Sequence, residues 1–98
     1  MSLLVQYTLK SATDAAAQKA AMRTLVAGLS AEGVPVDYSG FETGDATRYV
    51  GLLEFADDAG RRAFLDSSAF AAYRATVGQI LVGPPETTEV YPIASTRN

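Results

Sequence analysis

Tyr7, Tyr38, Tyr49, Tyr73 and Tyr91 each carry a phenol that can donate a hydrogen bond to an anionic oxygen. Arg74 and Arg23 can offset negative charge as it develops on a substrate. Glu54 stands on an otherwise apolar stretch, where burial would raise its pKa and let it act as a base. Each has a structural reading beside the chemical one. A tyrosine with its ring packed and its tip polar is ordinary core material, and Tyr73 falls on the inward stripe of its segment. Arg74, its neighbour, points about 100° away on a helix, toward the surface. Glu54 can simply pair with an arginine, in a second copy of the chain if not in its own. Asp57 and Asp58 are capping residues in this reading; with no third oxygen ligand nearby they do not make a cation site.

Other chemistries are removed by composition. The 98 residues contain no cysteine, histidine or tryptophan. This rules out disulfides, thiolate nucleophiles, His-ligated zinc or haem, and a Ser-His triad. The net charge of −3 and pI near 4.7 give no basic excess for nucleic acid or an anionic membrane. Met1 to Val5 has no basic leader and no apolar run reaches membrane-spanning length, so the expected compartment is the cytoplasm. No metal and no cofactor are expected.

The elements that must position these residues centre on the stretch from Arg48 to Tyr73. Residues 48–55 alternate so that Tyr49, Gly51, Leu53 and Phe55 point one way and Val50, Leu52 and Glu54 the other. Both sets are mostly apolar, so both faces of the strand need cover. A first strand is expected over 3–9. A helix follows over 14–31, with Ser11 to Asp14 spaced as a capping box and Met22, Leu25, Val26 and Leu29 as its buried stripe. Gly33 ends it. A second strand over 36–43 joins 48–55 as a hairpin through Gly44 to Thr47. A short helix is expected over 59–66 and another over 69–82, with Phe70, Tyr73, Val77, Ile80 and Leu81 inward. A last strand is expected over 86–93, interrupted by Pro92, and a frayed tail over 94–98. The order βαββααβ predicts an α+β ferredoxin-like domain spanning 1–98, with a four-stranded antiparallel sheet and helices on one face. The other face would be a large exposed apolar patch unless two sheets pack into a homodimer.

The chain resembles the antibiotic biosynthesis monooxygenase (ABM) domain family of the dimeric α/β-barrel superfamily. The matching residues are Tyr49 to Phe55, Phe64 to Phe70, and Gly83 to Tyr91. This pattern of residue types covers the whole chain. The resemblance implies pairing into a dimeric α/β barrel with a substrate pocket, for which Tyr7, Tyr49, Phe55, Phe64 and Phe70 are the candidate lining residues; Tyr73, Arg74 and Glu54 are the candidate catalytic residues on the chemistry given above. Phe64 and Ala69 stand where family members often carry His, Phe55 replaces a frequent Trp, and the only asparagine is Asn98. Haem degradation, which needs that His and an Asn, is therefore not implied. The implied activity is that of a cofactor-independent monooxygenase, an oxidoreductase acting on a small aromatic, quinol or polyketide-like substrate. In that chemistry the substrate's own anion reduces oxygen, and the protein desolvates, orients and stabilises it. Two alternatives stand beside it: a non-catalytic dimeric module binding a small hydrophobic ligand, and a structural dimer in which Phe55, Phe64, Phe70 and Tyr73 leave no cavity. A lyase or isomerase role is a further alternative.

Overall fold

The computed structural model describes residues 2–96. Four strands, β1 (Ser2–Thr8), β2 (Asp37–Glu42), β3 (Arg48–Glu54) and β4 (Glu86–Val90), form one antiparallel sheet in the order β2-β3-β1-β4. Helix α1 (Ala15–Glu32) crosses between β1 and β2; α2 (Asp58–Leu65) and α3 (Ser68–Val77) cross between β3 and β4. This is the ferredoxin-like α+β arrangement, with the helices on one side of the sheet.

Local chemistry sets the element ends. Asp57 Oδ1 accepts from the Gly60 amide at 2.9 Å and starts α2. Ser67 Oγ accepts from the Phe70 amide at 3.1 Å and donates to Phe64 O at 2.7 Å, so one hydroxyl closes α2 and opens α3. Gly33 ends α1 in the left-handed region, at φ 68°, while the Val34 amide reaches back to Leu29 O at 3.1 Å. The capping box expected from Ser11 to Asp14 does not form. Ser11 Oγ instead accepts from the Thr13 amide at 3.2 Å within a single 3₁₀ turn, and Asp14 makes no side-chain cap.

Two elements are shorter than their sequence patterns suggest. The helix expected to run to Val82 stops at Val77. Beyond it, Ile80 O accepts from the Lys10 amide at 2.8 Å, Leu81 bridges to Leu9, and the Val82 amide donates to Thr8 O at 2.9 Å. Backbone partners offered by the end of β1 outcompete another helical turn. The last strand ends at Val90 rather than Ile93, just before Pro92, which has no amide to donate. The tail expected over 94–98 is irregular through Thr96; Arg97 and Asn98 lie outside the described residues.

The alternation read along β3 holds. Tyr49, Leu53 and Phe55 are buried with Leu3, Tyr7 and Leu9 on the helix side, against Met22, Leu25 and Leu29 of α1 and Phe64, Tyr73 and Val77 of α2 and α3. The outer face carries Leu4, Val50, Leu52 and Val90, all partly buried by their neighbours, with Phe41 at 50% exposure. α1 and α3 approach so closely at Gly28 that a Cβ there would stand 2.8 Å from Ala69 Cβ. No helix is long and apolar enough to cross a membrane among the described residues.

Candidate functional site

A cleft of about 820 Å³ lies between the inner face of the sheet and helices α2 and α3, walled on its far side by the chain after α3. Its sheet wall includes Leu3, Val5, Tyr7 and Leu53, and its helix wall Phe64, Phe70, Tyr73 and Val77. The rings partly pack on one another: Phe55 meets Phe64 edge-on at 5.9 Å between centroids, and Phe64 and Phe70 lie tilted at 4.5 Å. They do not fill the interior, as the pocketless alternative requires. The cleft is large enough for a bicyclic or tricyclic aromatic molecule.

Beside the cleft is a buried polar cluster. Tyr7 and Tyr73 meet edge to face at 6.0 Å and both contribute to the cleft wall. Tyr38 reaches the same cluster from β2 by crossing over Gly51, where a Cβ would stand 3.1 Å from its hydroxyl. The fourth member is Gln18 of α1, which is completely buried. Its Nε2 donates to Tyr73 Oη at 2.9 Å. Tyr73 thus acts as acceptor toward α1, while its own O–H is directed at the neighbouring Tyr7 phenol within the cluster. Gln18 Oε1 and Tyr38 Oη are buried without a hydrogen-bond partner.

Burial is the main cause that pushes the phenols of Tyr7, Tyr38 and Tyr73 well above the ordinary tyrosine value, and the nearness of one phenol to another adds to it. All three are therefore neutral hydroxyls at physiological pH, able to donate a hydrogen bond and unable to act as bases.

The expected site residues divide in space. Tyr7, Phe55, Phe64, Phe70, Tyr73 and Arg74 all line the cleft. Arg74 is exposed, but its guanidinium lies over the Phe70 ring, 5.3 Å from the centroid, which brings it to the cleft wall rather than away from it. Tyr49 lies elsewhere: it is buried under α1 and lines a separate groove with Arg23, Lys19 and Glu42. Glu54 is exposed at the end of β3, on the outer face of the sheet, so it lacks the burial that the base reading requires. Tyr91 is 68% exposed beyond β4, with its hydroxyl donating to Glu89 at 2.7 Å. Among the described residues no group of three acidic or metal-ligating side chains stands close enough to hold a metal ion.

Gln18 and Lys10 were not picked out as site residues by sequence pattern. Gln18 had a usable signal. It stands four residues before Met22 and continues the stripe through Leu25 and Leu29, so it is a polar side chain on a face committed to the core. Lys10 lines the cleft from the loop after β1, where no periodicity applies.

No family model matches the chain, and no curated protein matches its sequence. Solved structures do match its fold. One, an antibiotic biosynthesis monooxygenase, superposes with a TM-score of 0.81 at 15% identity, over 95% of this chain and 98% of its own. A provisionally named antibiotic biosynthesis monooxygenase from Caulobacter crescentus gives a TM-score of 0.82 at 16% identity, over 95% of this chain and 89% of its own. A protein of unknown function from Nitrosomonas europaea gives 0.80 at 24% identity, over 99% of this chain and 92% of its own. The likeness is one of fold, and proteins named for ABM activity recur among those that share it.

Proposed function

We propose that the chain acts, over residues 1–98, as a cofactor-independent monooxygenase on a small aromatic, quinol or polyketide-like substrate held in the cleft. The observation that supports this most is the pairing of an aromatic, largely apolar cleft with the neutral phenols of Tyr7 and Tyr73 in its wall, the second positioned by Gln18. The fold is shared with proteins named as antibiotic biosynthesis monooxygenases, which favours the same reaction class.

The chemistry asks little of the protein. A ring methylene of an anthrone-type substrate loses a proton, and its oxygen becomes an enolate. The carbanion transfers an electron to dioxygen, and the radical pair combines to a hydroperoxide at that carbon. Loss of water leaves a carbonyl, so CH₂ and O₂ become C=O and H₂O, with all electrons supplied by the substrate. Tyr73 turns its O–H from Tyr7 to the enolate oxygen, Arg74 offsets its charge, and the aromatic walls exclude water. The proton leaves to solvent, because the three buried phenols are neutral and no Asp or Glu is among the lining residues.

In this reading the outer faces of two sheets pack together through Leu4, Val50 and Leu52, and the protein is a homodimer. Glu54, at the edge of that face, then serves the interface by pairing with an arginine of the second copy. The missing base in the cleft also supports a second reading, a dimeric module that binds a small hydrophobic ligand without turnover.

Oxygen uptake by metal-free protein against hydroquinones and anthrones separates the two. Saturable uptake that falls about a hundredfold in Tyr73→Phe or Arg74→Ala is the expected result. Saturable binding with no uptake for any compound would replace the oxygenase by the binding module.

A further inference from the structure

The charged residues lining the cleft are Lys10, Arg61 and Arg74, all cationic. Acidic residues outnumber basic ones in the chain, 11 to 8, yet none is among the lining residues, so charge is segregated toward this site. The three cations differ in their surroundings. Arg61 Nη1 faces Glu89 Oε1 at 3.7 Å. Lys10 and Arg74 make no ion pair among the described residues. Lys10 is fixed where its amide donates to Ile80 O at 2.8 Å, beside the chain that walls the cleft. Arg74 lies with its guanidinium over the Phe70 ring, 5.3 Å from the centroid, which holds its charge at the cleft wall.

An uncompensated cation beside an apolar wall attracts an anion more strongly than one in open water, because the low-dielectric wall reduces screening. We propose that the ligand of this cleft is an amphipathic organic anion: a flat aromatic body against Leu3, Val5, Phe64 and Val77, and a carboxylate held by Lys10 and Arg74. This rests on the cleft being the ligand site, as in the reading above, and adds the charge class of what it takes. The carboxylate is distinct from the oxygen that faces Tyr73, and Arg74, with five N–H donors, serves both. It anchors the molecule and fixes which end enters first.

Titration calorimetry with 2-naphthoate and its neutral counterpart 2-naphthamide tests this, using native protein and the Lys10→Met/Arg74→Met variant, which keeps both apolar stems. The acid should bind about tenfold tighter than the amide at low salt. The ratio of acid to amide affinity should shrink toward one in the double variant and in high salt. Equal affinity for acid and amide, or an advantage that survives in the double variant, overturns the proposal. So does a failure of both probes to bind. If neutral anthrones still support oxygen uptake in any of those cases, the oxygenase reading stands while the anionic-ligand proposal falls.

Discussion

The carboxylate of Glu32, the last residue of α1, closes the first turn of α3 through Ser68. It accepts from the Ser68 hydroxyl at 2.7 Å, the Ser68 amide at 3.2 Å and the neighbouring Ala69 amide at 2.6 Å. One side chain thus satisfies free amides at the start of a helix 36 residues further along the chain. Its hydrogen bonds to Ser68 and Ala69 hold the Glu32 carboxyl below the ordinary glutamate range. A lowered folded pKa means that the ionised form stabilises the fold above the ordinary value, and that this contribution fades as pH falls through the folded value. Glu32→Gln should lower Tm by a few degrees at neutral pH, and the difference from the native chain should close in acid. Thermal denaturation from pH 7 down to pH 3 reads this out; parallel curves would show that the carboxylate charge is not what caps α3.

Tyr73→Phe removes the oxygen to which Gln18 donates and leaves a fully buried amide with neither end paired. The expected cost is about 1–3 kcal/mol, the usual penalty for stranding a buried polar group. Replacing both, as Tyr73→Phe/Gln18→Leu, should recover most of it, because the amide that needs a partner is gone. Urea denaturation gives the comparison, with an unchanged m-value as the control that only stability has moved. A double variant less stable than Tyr73→Phe alone would contradict this account.

The contact between α1 and α3 sets propensity against packing. Gly28→Ala gains about 1 kcal/mol of helix propensity. Its new Cβ would stand 2.8 Å from Ala69 Cβ, a rigid atom that cannot swing away. Overpacking of this kind costs about 1–3 kcal/mol, so the variant should be less stable. Adding Ala69→Gly should relieve the collision. Calorimetric melting of both variants decides it, and a stabilised Gly28→Ala would mean that the helices yield more easily than their spacing suggests.

Burial raises the phenols of Tyr7, Tyr38 and Tyr73 above their ordinary 10.0, so the neutral form is favoured in the folded chain. This adds stability at pH values below 10.0, and the stability is lost as pH rises above it. None of these three phenols ionises in the neutral range, so the pH profile of oxygen uptake should follow the substrate's own ionisation. A more acidic quinol should shift the midpoint down by the difference in its pKa. A midpoint that stays fixed across substrates would instead reveal a base supplied by the protein.

On the outer face, Leu4 and Leu52 are direct partners across β1 and β3. If two sheets pack there, Leu52→Lys places a charge in the interface and should convert a dimer to a monomer with little change in the fold of each copy. Light scattering at matched concentration gives the mass. A native chain that is already monomeric at high micromolar concentration would rule out the sheet-to-sheet interface.

The parts of the fold governed by short-range rules could be read from sequence. Alternation along Arg48 to Phe55 gave the two faces of β3, and Asp57, Ser67 and Gly33 marked helix ends by their own chemistry. The end of α3 was different. Val77, Ile80 and Leu81 keep helical spacing, but Leu81 is satisfied by its bridge to Leu9, a long-range pairing with no trace in local pattern. The site follows the same division. Periodicity sorts the residues of each strand into two faces, but it says nothing of position across the sheet. Tyr7 on β1 borders the cleft under α2 and α3, whereas Tyr49, its direct partner on β3, sits under α1. Lys10 became a lining residue only once the chain after α3 folded back against β1.

The tyrosine cluster also makes the protein its own optical reporter. The chain has five tyrosines and no tryptophan, so its near-ultraviolet absorption and intrinsic emission come almost wholly from phenols. Tyr7 and Tyr73 lie in the cleft wall and Tyr38 touches them both electrostatically, which places most of that signal at one location. An aromatic ligand entering the cleft would quench or shift it directly, with no label, and Tyr91 at the exposed end of the chain supplies a solvent-facing reference within the same spectrum.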